Sequence, residues 1–279
     1  MNHTKAFFFD ALREVYPLHE VHAMFQLVLE QVCNVSRTSV LLNPDMELSP
    51  QQNTEIQLIV ERLKHMEPLQ YVLGQTEFYG LTFEVNPSVL IPRGETEELV
   101  DMIIQKHKGQ ALKILDIGTG SGCIAVSLQK KLPLSNVFAC DISDEALKVA
   151  EKNAKRNHVE VLFFNQDILS TNNLPGAPFD IIVSNPPYVT LSEKDQMQNN
   201  VLNYEPHSAL FVPDNDPLLF YRAIGRHAST ALCPGGFLYF EVNQYYAQQT
   251  LQMLETLGMD ATLHTDIHNN YRIIRALIK

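Results

Sequence analysis

The first 72 residues place apolar side chains at helical spacing and show almost no strand signal. One helix start is especially clear at Ser49-Pro50, where a capping residue precedes a first-turn proline. The pattern predicts a small helical bundle. Its four helices are expected over residues 5–16, 17–32, 36–42 and 49–66.

The hydrophobic pattern then changes period. Glu77–Val85 predicts a β-hairpin with Tyr79-Gly80 near its turn, and Val89–Ile91 predicts another strand. From Glu95 onward, short apolar strands alternate with helical segments, which is typical of a parallel sheet covered by helices. These strands are expected over residues 113–117, 136–141, 159–164 and 179–184, with a closing pair at 236–242 and 271–278.

A glycine-rich turn links the 113–117 strand to the next helix. Its glycines allow positive φ angles and close approach of the backbone to a ligand. A dinucleotide-binding fingerprint would require a third glycine where this chain has Cys123. With Asp116 just before it, the turn favours a nucleoside carrying a cationic amino-acid tail. The cofactor residues expected here are Asp116, Gly118, Thr119, Gly120, Ser121 and Gly122.

Two further carboxylates are expected at the same edge of the sheet. Asp141 ends the second strand, where an acidic side chain can accept both ribose hydroxyls. Asp167 follows the third strand and is expected near the adenine, with Ile142 and Ile168 also assigned to cofactor binding.

Asn185-Pro186-Pro187-Tyr188 follows the strand over 179–184. Each proline restricts its own φ and that of the preceding residue, so the segment forms a stiff, extended shelf. Its carbonyl oxygens can accept the two protons of a planar –NH2 group while Tyr188 covers the π-system. The plain alternative is a turn that ends a strand. The order of glycine turn, ribose carboxylate, third-strand Asp and this shelf resembles class I S-adenosylmethionine (AdoMet)-dependent amino-methyltransferases.

The composition indicates which class of substrate the protein is expected to bind. The chain has 279 residues and a net charge of −11, which disfavours nucleic acid as the main substrate. Four cysteines form no C-x-x-C pair, no metal site is expected, and His264 and His268 are assigned to loop or surface positions. No signal peptide or membrane span is expected, which favours a cytoplasmic protein.

The segment Leu90–Leu99 lies between the hairpin and the larger domain. Thr96 and the acids around it suit the start of a helix, which is the simpler interpretation. The functional interpretation is a lid over the cofactor, with Arg93, Thr96 and Glu97 near the nucleoside or its sulfonium tail.

Several motifs together resemble the peptide chain release factor glutamine methyltransferases. They are the segments 68–80 and 90–99, the Asn-Pro-Pro-Tyr shelf, Tyr204-Glu205-Pro206, and Gly235–Glu241. The chain departs from the family pattern at Gly94, where proline is usual.

The resemblance implies a Rossmann-like α/β fold with a seven-stranded sheet, a helical substrate-recognition domain over 1–72, a β-hairpin linker over 73–92 and a methyltransferase domain over 93–279. It implies methylation of the Gly-Gly-Gln glutamine in release factors one and two, by a monomer that contacts neither nucleic acid nor membrane. Asn185, Pro186 and Tyr188 would then be catalytic, and the substrate would be bound by Asn185, Pro186, Pro187, Tyr188 and Glu205. Asn185 is also expected to contact the cofactor.

Two other functions stay open from the sequence. A nucleic-acid amino-methyltransferase would use the same shelf on an exocyclic amine, although the acidic charge opposes it. An AdoMet-binding module without activity would have no need of the shelf.

Overall fold

The computed structural model describes residues 2–42, 46–171 and 173–279. The chain divides into two compact units, Met1–Gln75 with Gln198–Tyr204, and Thr76–Met197 with Glu205–Lys279. The short helix over Asn199–Tyr204 therefore clusters with the N-terminal helices, a grouping that the sequence had not suggested. Within this first unit, the Tyr204 hydroxyl donates to the carbonyl of His65 at 2.8 Å. The domain boundaries expected at residues 72 and 92 stay predictions.

The first unit is helical, as predicted. Ser49 and Gln52 form a reciprocal capping box, which satisfies two backbone N–H groups at the start of the fourth helix. The first helix ends at Leu12 instead of Tyr16, and residues 13–15 form turns before Pro17, which disfavours helical backbone at Tyr16. The helices are α1 (Asn2–Leu12), α2 (Leu18–Cys33), α3 (Arg37–Leu42), α4 (Pro50–Lys64) and α5 (Leu69–Leu73).

One apolar cluster holds these helices together. Phe8 of α1, Phe25 and Leu29 of α2, and Leu63 of α4 are buried in it. The Tyr16 hydroxyl also donates to the carbonyl of Leu63 at 2.8 Å, which satisfies a buried polar group at the rim of the cluster. Burial of this kind is what stabilises helices too short to persist alone.

The second unit opens with the predicted hairpin, β1 (Gln75–Phe78) and β2 (Leu81–Glu84). Tyr79 and Gly80 form its turn, both with positive φ angles. The strands that follow are β3 (Lys113–Ile117), β4 (Asn136–Asp141), β5 (Val161–Asn165), β6 (Phe179–Ser184), β7 (Val189–Thr190), β8 (Phe211–Val212), β9 (Leu232–Glu241), β10 (Met259–Thr265) and β11 (Tyr271–Ile278).

Within the described residues, one sheet joins seven of these strands in the order β10-β11-β9-β6-β3-β4-β5. The strands β9, β6, β3, β4 and β5 are parallel, whereas β11 runs antiparallel to both of its neighbours. Chain order reverses at β3, which has β4 on one side and β6 on the other. In α/β sheets, ligands bind outside the carboxyl ends of the strands at such a reversal.

Helices cover both faces of this sheet. The remaining helices in the described residues are α6 (Gly94–His107), α7 (Cys123–Lys131), α8 (Asp144–Arg156), α9 (Asn199–Tyr204), α10 (Leu219–Ala231) and α11 (Ala247–Thr256), and 3-10 turns cover Leu191–Gln196 and His207–Ala209. Buried side chains of α6 and α7 pack on one face of the sheet, and those of α10 and α11 pack on the other. No helix in the described ranges is long and apolar enough to cross a membrane.

Two local predictions are wrong. Val89–Ile91 is irregular instead of a strand. Val89 and Ile91 are buried, and the N–H of Ile91 bonds to a carboxylate, Glu205, not to a neighbouring strand. His264 lies half-buried on β10, opposite Ile273, and not on a loop or the surface. The β10 strand was missed because polar residues interrupt its apolar pattern.

Asn153 of α8 ties the hairpin to the glycine turn. Its fully buried amide accepts from the N–H of Glu84 at 2.6 Å and donates to the carbonyls of Glu84 and Ser121, both at 2.9 Å. One side chain therefore satisfies backbone groups of two separate segments.

Asn153→Ala should lower the free energy of unfolding by about 2–4 kcal/mol, because it leaves several buried backbone groups unpaired. Urea denaturation measures this, with Asn173→Ala at an exposed position as the matched control. Equal stability of the two variants would contradict the assigned role of Asn153.

Candidate active site

The glycine turn after β3 is shaped by backbone conformation and close packing. Gly118, Gly120 and Gly122 have φ angles of 74°, 53° and 80°. A Cβ on Gly122 would lie 3.0 Å from the Cβ of Ala150 in α8, whereas one on Gly118 or Gly120 would meet nothing within 4 Å. Glycine at the first two positions therefore leaves open space on the ligand side of the turn, and glycine at the third lets the helices approach.

Asp116 lies directly behind this turn and is fully buried. Its Oδ2 accepts from the Thr119 hydroxyl at 2.7 Å, and its Oδ1 makes no hydrogen bond within the described part of the chain. Burial raises the pKa of Asp116 to about 7, although Thr119 and the nearby N–H of Ala125 oppose the shift. A buried acid with a spare oxygen suits a site for a cationic ligand.

Asp141 ends β4 and is held by the backbone. Its Oδ2 accepts from the N–H of Gly120 at 2.9 Å and its Oδ1 from the N–H of Ser143 at 3.0 Å. Burial raises the pKa of this carboxyl above its ordinary value. Its orientation is therefore set before any ligand arrives, which lowers the cost of accepting two hydroxyl groups.

Asp141 and the glycine turn from Gly118 to Ser121 line one cavity of about 290 Å³ within the second unit, close to the size expected for a site that holds a small molecule. Apolar residues that the sequence did not assign also line it, among them Leu90, Phe220 and Ile224. The predicted site residues on its lining are Arg93, Thr96, Gly118, Thr119, Gly120, Ser121, Asp141, Ile142, Asp167, Ile168, Asn185, Pro186 and Pro187.

Other predicted residues lie apart from the described lining, namely Asp116, Gly122, Glu97, Tyr188 and Glu205. Glu97 accepts from the backbone N–H of Tyr79 at 2.7 Å and so holds the hairpin. Glu205 is buried, where it accepts from Arg93 at 2.5 Å and from the N–H of Ile91 at 3.3 Å. These contacts fix the segment that covers the cavity, and the ligand contacts expected of both acids stay predictions.

The Asn185-Pro186-Pro187-Tyr188 shelf begins where β6 ends. Asn185 Nδ2 donates to the Thr96 hydroxyl at 3.2 Å, and that hydroxyl donates to Oε2 of Glu241 at 2.6 Å. The Tyr188 hydroxyl donates to Oε1 of the same carboxylate at 3.1 Å. Thr96 therefore does not cap α6, which has no side-chain cap. It joins the shelf to a buried acid.

Two residues of this network were not among the predicted site residues. Glu241 ends β9, and Asn243 donates to the carbonyl of Tyr188 at 3.2 Å. A charged residue at the end of a buried, apolar strand was the available signal for Glu241. The sequence contains no comparable signal for Asn243, since its partner is a backbone carbonyl that only the fold brings near.

Comparison with known proteins decides the family. Residues 8–74 match a family model described as the PrmC N-terminal domain, and residues 95–206 match the Methyltransferase small domain. A release factor glutamine methyltransferase from Flavobacterium psychrophilum is 48% identical over 273 residues, covering 96% of this chain and 95% of that protein. One from Bacteroides thetaiotaomicron is 46% identical over 277 residues, covering 99% of each.

The chain belongs to the release factor glutamine methyltransferase family. Solved structures agree on the fold alone. A methyltransferase from Pyrococcus furiosus superposes with a TM-score of 0.53 at 18% identity, covering 79% of this chain and 96% of that one. A ribosomal protein L11 methylase from Lactobacillus delbrueckii subsp. bulgaricus gives 0.50 at 19% identity, covering 71% and 83%. The predicted class I AdoMet-dependent methyltransferase fold is confirmed.

A release factor glutamine methyltransferase takes its methyl group from AdoMet, so the predicted cofactor is confirmed as well. The residues present on the cavity lining fit it: a preset carboxylate on Asp141 and open space at Gly118 and Gly120, with the buried carboxyl of Asp116 behind the turn. The individual contacts of these residues with the cofactor stay predictions.

AdoMet should bind roughly tenfold more tightly at pH 8 than at pH 6. Below pH 7 the ligand-free Asp116 is mostly protonated, and above it the carboxylate attracts the cationic cofactor. Calorimetric titration of the wild type and of Asp116→Asn measures this. The variant lacks the titrating group, so subtracting its profile also removes the contribution of the cofactor's own amino group. Identical pH profiles for the two proteins would contradict the role of Asp116.

Proposed function

We propose that this protein transfers the methyl group of AdoMet to the side-chain amide nitrogen of a glutamine, the one in the Gly-Gly-Gln loop of peptide chain release factors one and two. The observation that carries the proposal is the orientation of Asn185. Its Nδ2 is engaged by Thr96, so Oδ1 is the atom left to accept a hydrogen bond from the substrate.

In this proposal, the shelf positions the acceptor amide relative to the methyl group. Asn185 Oδ1 and the carbonyl of Pro186 accept the two N–H protons of the glutamine amide and aim its lone pair at the methyl carbon. AdoMet supplies that methyl on a sulfonium, which makes it an electrophile. Attack at roughly 3–3.5 Å forms the N–C bond as the C–S bond breaks, and the amide nitrogen then releases one proton to solvent.

Tyr188 supports the shelf instead of acting as a base. Burial raises the pKa of its phenol far above the ordinary value, so the hydroxyl keeps its proton and donates to Glu241. A strong base is not required, because the nitrogen proton becomes acidic once the new bond forms.

The acceptor is a protein in this proposal, for two reasons. The relatives that cover nearly the whole chain are named for release factors, and their likeness includes the helical first unit. The net charge of −11 opposes binding to a polyanion. We further propose that the helical unit contacts the release factor, that the enzyme acts as a monomer and that it works in the cytoplasm, where release factors act.

The direct test incubates the protein with labelled AdoMet, purified release factor and total cellular RNA and DNA. Mass spectrometry should find one added methyl group on the glutamine of the Gly-Gly-Gln loop. Replacing that glutamine with asparagine should abolish transfer, since its amide falls one methylene short. Label found only in adenine or guanine, with the release factor unmodified, would favour the nucleic-acid alternative.

Asn185→Ala should lower kcat at least about 100-fold, because the group that orients the acceptor amide is lost. AdoMet affinity should change less than about threefold, since the main partner of Asn185 is the acceptor. Steady-state kinetics and calorimetry separate the two effects. A loss of turnover of only a few fold would show that the shelf does not perform the proposed chemistry.

A further inference from the structure

The amide of Asn185 has two different ends, and the proposed function needs a particular one to face the substrate. An oxygen there accepts the N–H protons of a glutamine amide. A nitrogen there would place donor against donor and would instead suit a carboxylate. Asn185 is half-buried, so the choice between these two orientations depends on its protein partners.

The partners form a chain of hydrogen bonds with one direction. The Thr96 hydroxyl has a single proton and donates it to Oε2 of Glu241, at a length typical of charge-assisted bonds. Its oxygen is then free to accept, and it accepts from Asn185 Nδ2. Glu241 also accepts from Tyr188 on its other oxygen. Both oxygens of this buried carboxylate therefore act as acceptors.

We propose that Glu241 is a positioning residue which, through Thr96, holds Asn185 with Oδ1 toward the acceptor nitrogen and so makes the site select an amide over a carboxylate. This inference rests on the proposed function. An ionised carboxylate cannot donate a hydrogen bond. The Thr96 hydroxyl must therefore donate to Glu241, and Asn185 must donate to Thr96. An amide in its place can donate to Thr96, which lets the chain reverse and the Asn185 amide turn over.

Among the described residues, the side chain of Glu241 hydrogen-bonds with Thr96 and Tyr188 alone. Thr96 and Glu241 are only 3% and 2% exposed, so water does not compete for these bonds. Arg272 lies near enough to stabilise the charge of Glu241, but its ion pair, at 3.6 Å, is with Asp266. A buried carboxylate is costly unless hydrogen bonds or a nearby cation compensate for its lost hydration.

The test compares Glu241→Gln with the wild type on the release factor. The variant should lose at least about 30-fold in kcat. Its affinity for AdoMet should stay within about threefold of the wild type, because Glu241 lies apart from the cavity lining and bonds to Thr96 and Tyr188. Thr96→Val should show a similar loss, and Thr96→Ser should recover most of it by restoring the hydroxyl. Thr250→Val removes another buried hydroxyl, which donates to the carbonyl of Tyr246 just before α11, and serves as the matched control with normal turnover.

A second readout distinguishes orientation from simple structural support. Release factor carrying glutamate in place of the acceptor glutamine is used as an inhibitor. The wild type should bind it much more weakly than the glutamine form, and Glu241→Gln should reduce that preference at least about tenfold, since a turned Asn185 offers an N–H to the carboxylate. An unchanged preference, or turnover of Glu241→Gln close to the wild type, would overturn the inference.

The last readout needs no substrate. The side-chain amide protons of Asn185 can be assigned in the ¹⁵N-labelled protein by their loss in Asn185→Asp. The inference predicts that they shift in Glu241→Gln and not in Thr250→Val. If the wild type leaves the release factor glutamine unmodified, the proposed function is wrong, and this measurement still decides whether Glu241 orients Asn185. Unshifted resonances would overturn that role.

Discussion

The hydrogen bond from the Ser184 hydroxyl to the carbonyl of Ile117, 2.6 Å long, joins the two strand ends from which the site is built. Ile117 and Ser184 are direct partners in the parallel pairing of β3 and β6. The glycine turn leaves one strand and the Asn185 shelf leaves the other. The glycine turn and the Asn185 shelf are therefore neighbours because of strand order, and the loops need only to provide the right side chains.

Three buried or half-buried acids at this edge have separate tasks. Asp116 has an oxygen without a hydrogen bond behind the glycine turn, and Asp141 is oriented by backbone N–H groups. Both oxygens of Glu241 accept hydrogen bonds, one from Thr96 and one from Tyr188. Burial raises the pKa of all three, so each is costly to ionise. Backbone N–H groups offset part of that cost at Asp141, and hydroxyl groups offset part of it at Asp116 and Glu241. An edge of this kind suits a cation and a neutral amide, and repels a polyanion.

Much of the fold can be predicted from local sequence signals. The hairpin, the glycine turn, the core strands and the shelf were predictable because their residues have short-range conformational requirements, such as positive φ at Gly118 or restricted φ at Pro186. Glu241 and Asn243 were not recognised, since their roles depend on partners more than fifty positions away. The apolar pattern of Val89–Ile91 predicts a strand, because it does not reveal that Ile91 bonds to a buried carboxylate.

We propose that one edge of the sheet holds the cofactor with its sulfur facing the amide nitrogen that Asn185 binds. A crystal structure with S-adenosylhomocysteine and a glutamine-containing release factor peptide tests it most directly. The account predicts ribose hydroxyls on Asp141, and the glutamine amide bonded to Asn185 Oδ1 and the Pro186 carbonyl with its nitrogen facing the sulfur. A nucleoside bound away from the glycine turn, or an acceptor amide facing Asn185 Nδ2, would contradict it.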